Sequence, residues 1–333
     1  MHPEPTRRGL AVLAVALLGI VLGYAFGGRS LNAVVVPAFA LLAVTALYVR
    51  SYPDPEIQRV APREGHQGEW RTVDVRVNAS RPYPVTIRDD LSAGLRGESE
   101  HAAETDGRWL EYEVEFASRG VHSIGPCRVE ATDPFGLWRT EQAAGGSKRV
   151  TVFPRVHSLE STASLLTGYV GLTDEREQFA GVREYERGDP LRDVNWKASA
   201  KRPNELAVTE FVGEGSTNRV TVAAEALGPR EDSVAEATAS IVTHLLDAGV
   251  AVGVTTAVGA VDPAHGDPHR RRVLEILARF GRGKLRSRRK DEADIVVHAP
   301  ESGEHVSVTV GDTAYRYEEF VGGRAGASQR VSV

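Results

Sequence analysis

Two uncharged stretches, Gly9 to Gly28 and Ser30 to Val49, constrain this chain more than any other feature. Each holds twenty residues. At ~1.5 Å per residue, a helix of that length covers about 30 Å, the hydrocarbon thickness of a bilayer. Only Arg29, in a Gly-Gly-Arg-Ser turn, separates them. The pattern predicts a transmembrane hairpin over residues 1–52. Arg7 and Arg8 precede it, and Arg50, Arg59 and Arg63 follow it. Positive charge at both ends predicts that both ends face the cytoplasm, at the plasma membrane. The competing reading, a cleaved signal peptide, lacks a clean small-x-small site before the turn. Pro37 is tolerable in the second span if the partner helix covers the freed carbonyl.

Beyond the hairpin the period changes. Val73, Val75 and Val77 alternate with Thr72, Asp74 and Arg76, and Leu110, Tyr112, Val114 and Phe116 alternate with glutamates. These are half-buried antiparallel strands. Turn clusters recur at Arg81-Pro82-Tyr83-Pro84, Asp106-Gly107, Arg119-Gly120 and Asp133-Pro134-Phe135-Gly136, with Gly145-Gly146-Ser147 as a turn or hinge. About seven short strands predict an all-β, immunoglobulin-like sandwich over 53–154. Phe135 and Trp138 are expected to pack against the next domain.

Over 155–321 strands alternate with helices, which predicts an α/β domain with a mostly parallel sheet and helices on both faces. Thr217 to Ala224, Val250 to Thr256, Ile295 to His298 and Val306 to Val310 read as strands. Ser233-Val-Ala-Glu236 fits a capping box, with Gly249 as the stop. Asp267 and Pro268 open a second helix. Residues 322–333 read as a flexible tail.

The densest run of mixed charge, aromatic and turn residues is Val182 to Phe211. Its middle reads as a short helix, with Asp189 as cap and Pro190 at the first helical position. Asp193 and Lys197 share a face, as do Arg192 and Trp196. Leu206 to Phe211 reads as a strand.

Three segments together resemble one family, domain of unknown function 58. They are Arg119-Gly120 to Pro126 leading to Asp133-Pro134-Phe135-Gly136-Leu137-Trp138-Arg139; Val152-Phe153-Pro154-Arg155; and Arg183-Glu184-Tyr185, Gly188-Asp189, Arg192, Trp196-Lys197 and Ser199-Ala200. The resemblance covers essentially the whole chain. It implies a membrane-anchored cytoplasmic protein whose last domain is similar to von Willebrand factor type A, acting with a MoxR-type AAA ATPase in complex assembly or maturation. One departure matters. A type A domain normally ends its first strand in Asp-x-Ser-x-Ser, which supplies oxygen ligands to Mg²⁺. Here that strand ends in Glu225-Ala226-Leu227-Gly228. Glu225 offers one carboxylate and its neighbours offer no side-chain ligand, so the site is degenerate and no metal is expected.

Each candidate for chemistry has a structural competitor. Arg183, Glu184, Tyr185, Asp189, Arg192, Trp196 and Lys197 form either a docking surface or a capped helix with Trp196 in a domain seam. Trp and Arg concentrate binding energy at interfaces, which favours docking. Asp189 and Asp193 could be a catalytic carboxylate pair, but that needs a cleft and perturbed pKa values. Asp262, His265, Asp267 and His269 could suit a metal, but Pro and Gly between them make an ordinary polar loop, with Asp267 a helix cap and the histidines in solvent. Arg279, Arg282, Lys284, Arg286, Arg288, Arg289 and Lys290 read as a solvated loop, or as a contact for anionic headgroups or an acidic partner. Cys127 reads as buried and inert.

The chain carries 40 basic and 45 acidic groups, net −5. That balance lacks the basic footprint of nucleic-acid binding. A single cysteine excludes an intrachain disulfide. No P-loop, dinucleotide loop, nucleophile elbow or zinc pattern is present, and no cofactor is indicated. The leading expectation is a non-enzymatic, membrane-anchored scaffold that presents a Trp-anchored surface to the ATPase or its client proteins. The alternatives are a metal-dependent hydrolase using Asp189 and Asp193, and an envelope adhesion module with inverted topology.

Overall fold

The computed structural model describes residues 2–26, 31–159, 166, 179–184, 207–211, 219–303 and 305–321. The chain divides into two compact units, Met1–Phe153 and Pro154–Val333.

In the first unit, strand β1 (Glu4–Pro5) precedes helices α1 (Arg7–Phe26) and α2 (Asn32–Arg50). Both helices are long and apolar enough to cross a membrane. They pack closely because Gly19 has no side chain where it meets Val35. Ten further strands follow: β2 (Glu56–Val60), β3 (Gly65–His66), β4 (Trp70–Asn78), β5 (Pro84–Leu91), β6 (Leu95–Arg96), β7 (Glu100–Glu104), β8 (Asp106–Phe116), β9 (Gly120–Thr132), β10 (Trp138–Ala144) and β11 (Lys148–Phe153). Together with β1 they form a four-stranded sheet, β2-β4-β8-β6, and a seven-stranded sheet in which β9 pairs with β5, β10 and β11.

Period two decides which side chains go inside. Val73, Val75 and Val77 of β4 and Tyr112, Val114 and Phe116 of β8 share one buried cluster with Val85 and Ile87 of β5 and Ile124, Cys127 and Val129 of β9. Each fully buried Val, Ile or Phe contributes about 1.5–3 kcal/mol. Val49 and Tyr52 belong to the same cluster. The last turns of α2 therefore complete the core of the sheets. On the outer face of the larger sheet, Arg128 pairs with Asp90 at 3.3 Å and Arg88 pairs with Glu100. Solvent screens such exposed pairs, so they add little to stability, and they leave that face self-neutralised.

The chain bends at Gly145, with a φ of 64°, but does not reverse there. Ala144 lies opposite Cys127 and Lys148 opposite Ile124, so β10 and β11 run along the same edge of β9 with a short interruption. The Asp133 turn does form. The Asp133 carboxylate accepts from the amides of Phe135, Leu137 and Trp138 at 2.6–2.8 Å, and Gly136 takes a φ of 68°. Trp138 packs against the hairpin, donating its Nε1–H to Leu42 O at 3.0 Å, while Phe135 is exposed. Thr6 caps α1 through Gly9 N at 3.2 Å and donates its hydroxyl to Gly136 O at 2.5 Å.

Arg59 departs most from its expected role. Charge patterning assigned it to the membrane boundary. Its side chain is 2% exposed and paired with Asp89, itself 1% exposed. Tyr112 Oη donates to Asp89 at 2.6 Å, and Arg59 Nη1 donates to Gly146 O at 2.8 Å. Burial, and then the Asp89 charge, push the Cys127 thiol up to about 12, so it stays protonated.

The second unit holds a two-stranded ladder of β12 (Phe179–Glu184) and β13 (Ala207–Phe211), then β14 (Arg219–Ala226), α3 (Glu231–Asp247), β15 (Ala251–Thr256), β16 (Gly259–Ala264), α4 (Asp267–Ala278), α5 (Ser287–Asp291), β17 (Ile295–Ala299), β18 (Ser307–Val310), β19 (Thr313–Arg316) and α6 (Glu318–Val321). The six-stranded sheet has the order β16-β15-β14-β17-β18-β19. Parallel pairing is confined to β15–β14–β17, and the other three pairings are antiparallel. The sheet is mixed rather than mostly parallel. Helices α3 and α4 pack against each other and therefore share a face. The capping box at Ser233 is not used. Helix α3 starts at Glu231 without a side-chain cap, and Glu231 and Asp232 instead complement the dipole of its first turn.

Candidate functional site

Strand β14 lies between β15 and β17, and its carboxyl end is where chain direction through the sheet reverses. In open α/β sheets such switch points leave a crevice for ligands. Glu225 sits there, opposite His298 of β17 in register. Its side chain is 3% exposed. A carboxylate this buried needs partners, and three are present. Lys290 Nζ donates to Oε2 at 2.9 Å, Leu285 N donates to Oε1 at 2.8 Å, and His298 Nδ1 lies 3.0 Å from Oε2. The His298 contact is close but not aligned as a hydrogen bond.

The electrostatics follow from this packing. Burial alone would raise the Glu225 carboxyl. The Lys290 hydrogen bond, the Leu285 amide and the charges of Lys290 and His298 outweigh it and hold the group below the usual carboxylate range. Burial, reinforced by the Lys290 charge, lowers His298 despite the opposing pull of Glu225, so its ring is neutral at physiological pH. The site therefore holds an anionic Glu225, a cationic Lys290 and a neutral His298.

The segment after α4 also covers the strand end. Gly283 N donates to Ala226 O at 3.0 Å, and Leu285 is buried. Glu225 and Lys290 thus form an internal ion pair at the strand end.

The same geometry divides the basic run. Lys290 is used by Glu225, Arg282 pairs with Glu231 at 3.3 Å, and Arg288 pairs with Glu292 at 2.8 Å. Lys284, Arg286 and Arg289 are exposed. The His/Asp group also separates. His269 is buried, not solvated, and its Nε2 bonds Val252 O at 2.6 Å. Asp267 lies in the first turn of α4 without making a cap hydrogen bond. Among the described residues no group of three His, Cys, Asp or Glu side chains could hold a metal ion.

Of the docking surface, Arg183 and Glu184 fall in β12, where they lie opposite Val208 and Ala207 of β13. Tyr185, Asp189, Arg192, Asp193, Trp196 and Lys197 lie outside the described residues. The ladder also sets Val182 opposite Thr209, and Phe179 opposite Phe211. The β13 half of the ladder was legible from Leu206 to Phe211. The β12 half was not, because Val182 to Glu184 is too short to show a period.

No family model matches the chain. The Uncharacterized protein YeaD of Bacillus subtilis (strain 168) is 24% identical over 294 residues, which covers 80% of this chain and 73% of that protein. Among solved structures, the PKD domain of an M14-like peptidase from Thermoplasmatales archaeon SCGC AB-540-F20 matches 30% of this chain and 97% of its own, at 16% identity and a TM-score of 0.23. A chain from the human complex of Zinc 2-glycoprotein and Prolactin inducible protein matches 29% of this chain and 93% of its own, at 15% identity and a TM-score of 0.21.

Proposed function

We propose that this chain is a membrane-anchored interaction module, working from the cytoplasmic face with a MoxR-type AAA ATPase in the assembly or maturation of protein complexes. Its first unit is a hairpin with an immunoglobulin-like sandwich, and its second is a type A-like domain. The observation that carries the reading is the commitment of Glu225 to Lys290 and the Leu285 amide. A strand-end carboxylate already satisfied from within supports a domain that binds its partner without a bridging ion. The apolar helices support anchoring, and Arg7, Arg8 and Arg50 support a cytoplasmic orientation. Trp196 and Arg192, residue types that concentrate binding energy at interfaces, support a docking surface.

Two measurements test this. Trp196→Ala and Arg192→Glu are each expected to abolish co-purification with the ATPase while leaving the fold intact, because large aromatic and guanidinium groups carry about 2 kcal/mol or more each at such surfaces. Retained binding by both folded variants would remove the proposed surface. For orientation, Ser332→Cys should resist an impermeant thiol reagent added outside intact cells. Cys127 is buried and gives little background. Labelling from outside would favour an adhesion module instead.

A further inference from the structure

At the junction of the hairpin with the larger sheet lies an open cavity of about 290 Å³ with an almost wholly apolar lining. That places it at the small end of ligand pockets, which run from ~300 Å³ upward. Gly9 and Leu13 of α1, Phe39, Leu42 and Ala43 of α2, and Trp138 of β10 form its walls. The local structure explains its position. Gly9 lets α1 pass directly against the Leu137 carbonyl, where a Cβ would collide. Trp138 is held at its back by the bond to Leu42 O. The indole therefore stands beside α2 at the level of Gly9, where the apolar run of α1 begins. A Trp at that height, with a bonded N–H and an apolar body, suits a membrane interface.

The first turn of α1, next to this apolar wall in the chain, is cationic. Arg7 and Arg8 form the start of α1, and the Arg8 guanidinium reaches the Gly136 turn beside the cavity. Neither arginine has an acidic partner among the described residues. Both lie within a turn of the apolar wall at Gly9. An apolar slot beneath two unpaired guanidiniums matches one kind of molecule, an amphiphile with a hydrocarbon tail and an anionic head. We infer that this cavity is a binding site for one acyl chain of an anionic phospholipid, with its phosphate at Arg7 and Arg8. The inference rests on the proposed insertion of the hairpin into a bilayer. It is separate from the basic run of the second unit, in which Arg282, Arg288 and Lys290 are spent on internal ion pairs.

The test uses the full chain in phosphatidylcholine vesicles containing phosphatidylglycerol with a photoreactive acyl chain. Labelling is expected on the peptides that hold Trp138 and Phe39–Ala43, and also on the outward residues Val21 and Val36. Unlabelled phosphatidylglycerol should compete at the Trp138 peptide roughly tenfold better than phosphatidylcholine, from two arginines near the surface. Arg7→Gln with Arg8→Gln should erase that preference. Ala43→Phe fills the slot and should remove labelling at Trp138 while Val21 and Val36 remain labelled. Equal competition by the two lipids overturns the site, as does Trp138 labelling that survives Ala43→Phe. If Ala43→Phe does not fold, headgroup competition on the unaltered chain decides. Absence of labelling anywhere on the hairpin would defeat the membrane reading itself, a distinguishable result.

Discussion

Arg59→Met is expected to destabilise the first unit by about 3–5 kcal/mol, the usual cost of leaving one member of a buried ion pair alone. Arg59 and Asp89 are almost fully enclosed, at 2% and 1% exposure. Arg59 ties three strands together. Besides Asp89 on β5, its guanidinium reaches Gly146 O at the interruption between β10 and β11, and Arg59 itself lies on β2. Removing it leaves the Asp89 charge facing only the Tyr112 hydroxyl and the weakly polar Cys127 thiol, inside a cluster of Val, Ile and Phe. Neither group can turn to water without opening the core. The pair as a whole is a different matter. Desolvating two ions costs nearly what their attraction returns, so Arg59→Met with Asp89→Leu should recover most of the loss. Hydrogen exchange on the full chain separates the effects. Peptides from β5 and β8 should lose protection in the single variant and regain it in the double, while α3 peptides stay unchanged. A single variant that costs under ~1 kcal/mol would show that the pair does not hold the sheets together.

The sequence made this unit legible where periodicity spoke and silent where charge spoke. Val73, Val75 and Val77 announce a buried face because every second residue must point the same way. Arg59 announces nothing of the kind. Read alone it is a surface cation, and its partner is thirty residues away on another strand. The Asp133 turn shows the same split. Its internal geometry follows from Asp, Pro and Gly at fixed offsets, but the surface it serves depends on Thr6, far off in sequence. In the second unit the parallel centre was readable from strand–helix alternation. The antiparallel margins were missed because β16 and β19 return through tight turns, one of them with Gly311 at a φ of 58°, and neither strand has a fully buried residue. Ser233 and Glu236 carry the spacing of a capping box inside a helix that begins earlier, since spacing alone does not locate a start.

The strand-end site joins both lessons. Glu225 was legible as a lone carboxylate lacking the usual hydroxyl neighbours, and Lys290 as one cation in a basic run. Nothing local connects them across sixty-five positions. Lys290→Met tests what the connection does. The methionine keeps the apolar stem and removes only the ammonium. Glu225 then keeps the Leu285 amide and the nearby imidazole, so the expected loss is about 1–3 kcal/mol rather than that of a fully orphaned charge. At ~2–4 °C per kcal/mol for a unit of this size, the melting temperature should fall measurably at neutral pH. Its pH dependence is the sharper readout. In the unaltered chain both groups have depressed folded pKa values. The unfolded chain therefore binds protons first, and stability falls as pH drops below 6.5 for His298 and below 4.5 for Glu225. Without Lys290 the main forces lowering Glu225 are gone and burial pushes it up. A raised carboxyl favours the fold at low pH, so the deficit should be largest at neutrality and shrink on acidification. Glu225→Gln with Lys290→Met should restore neutral stability, because the amide oxygen still accepts from Leu285. A deficit that stays constant across the acid range would mean that Lys290 contributes packing alone. The strand end would then need another source of charge compensation, and the case for an ion-independent docking domain would lose its support.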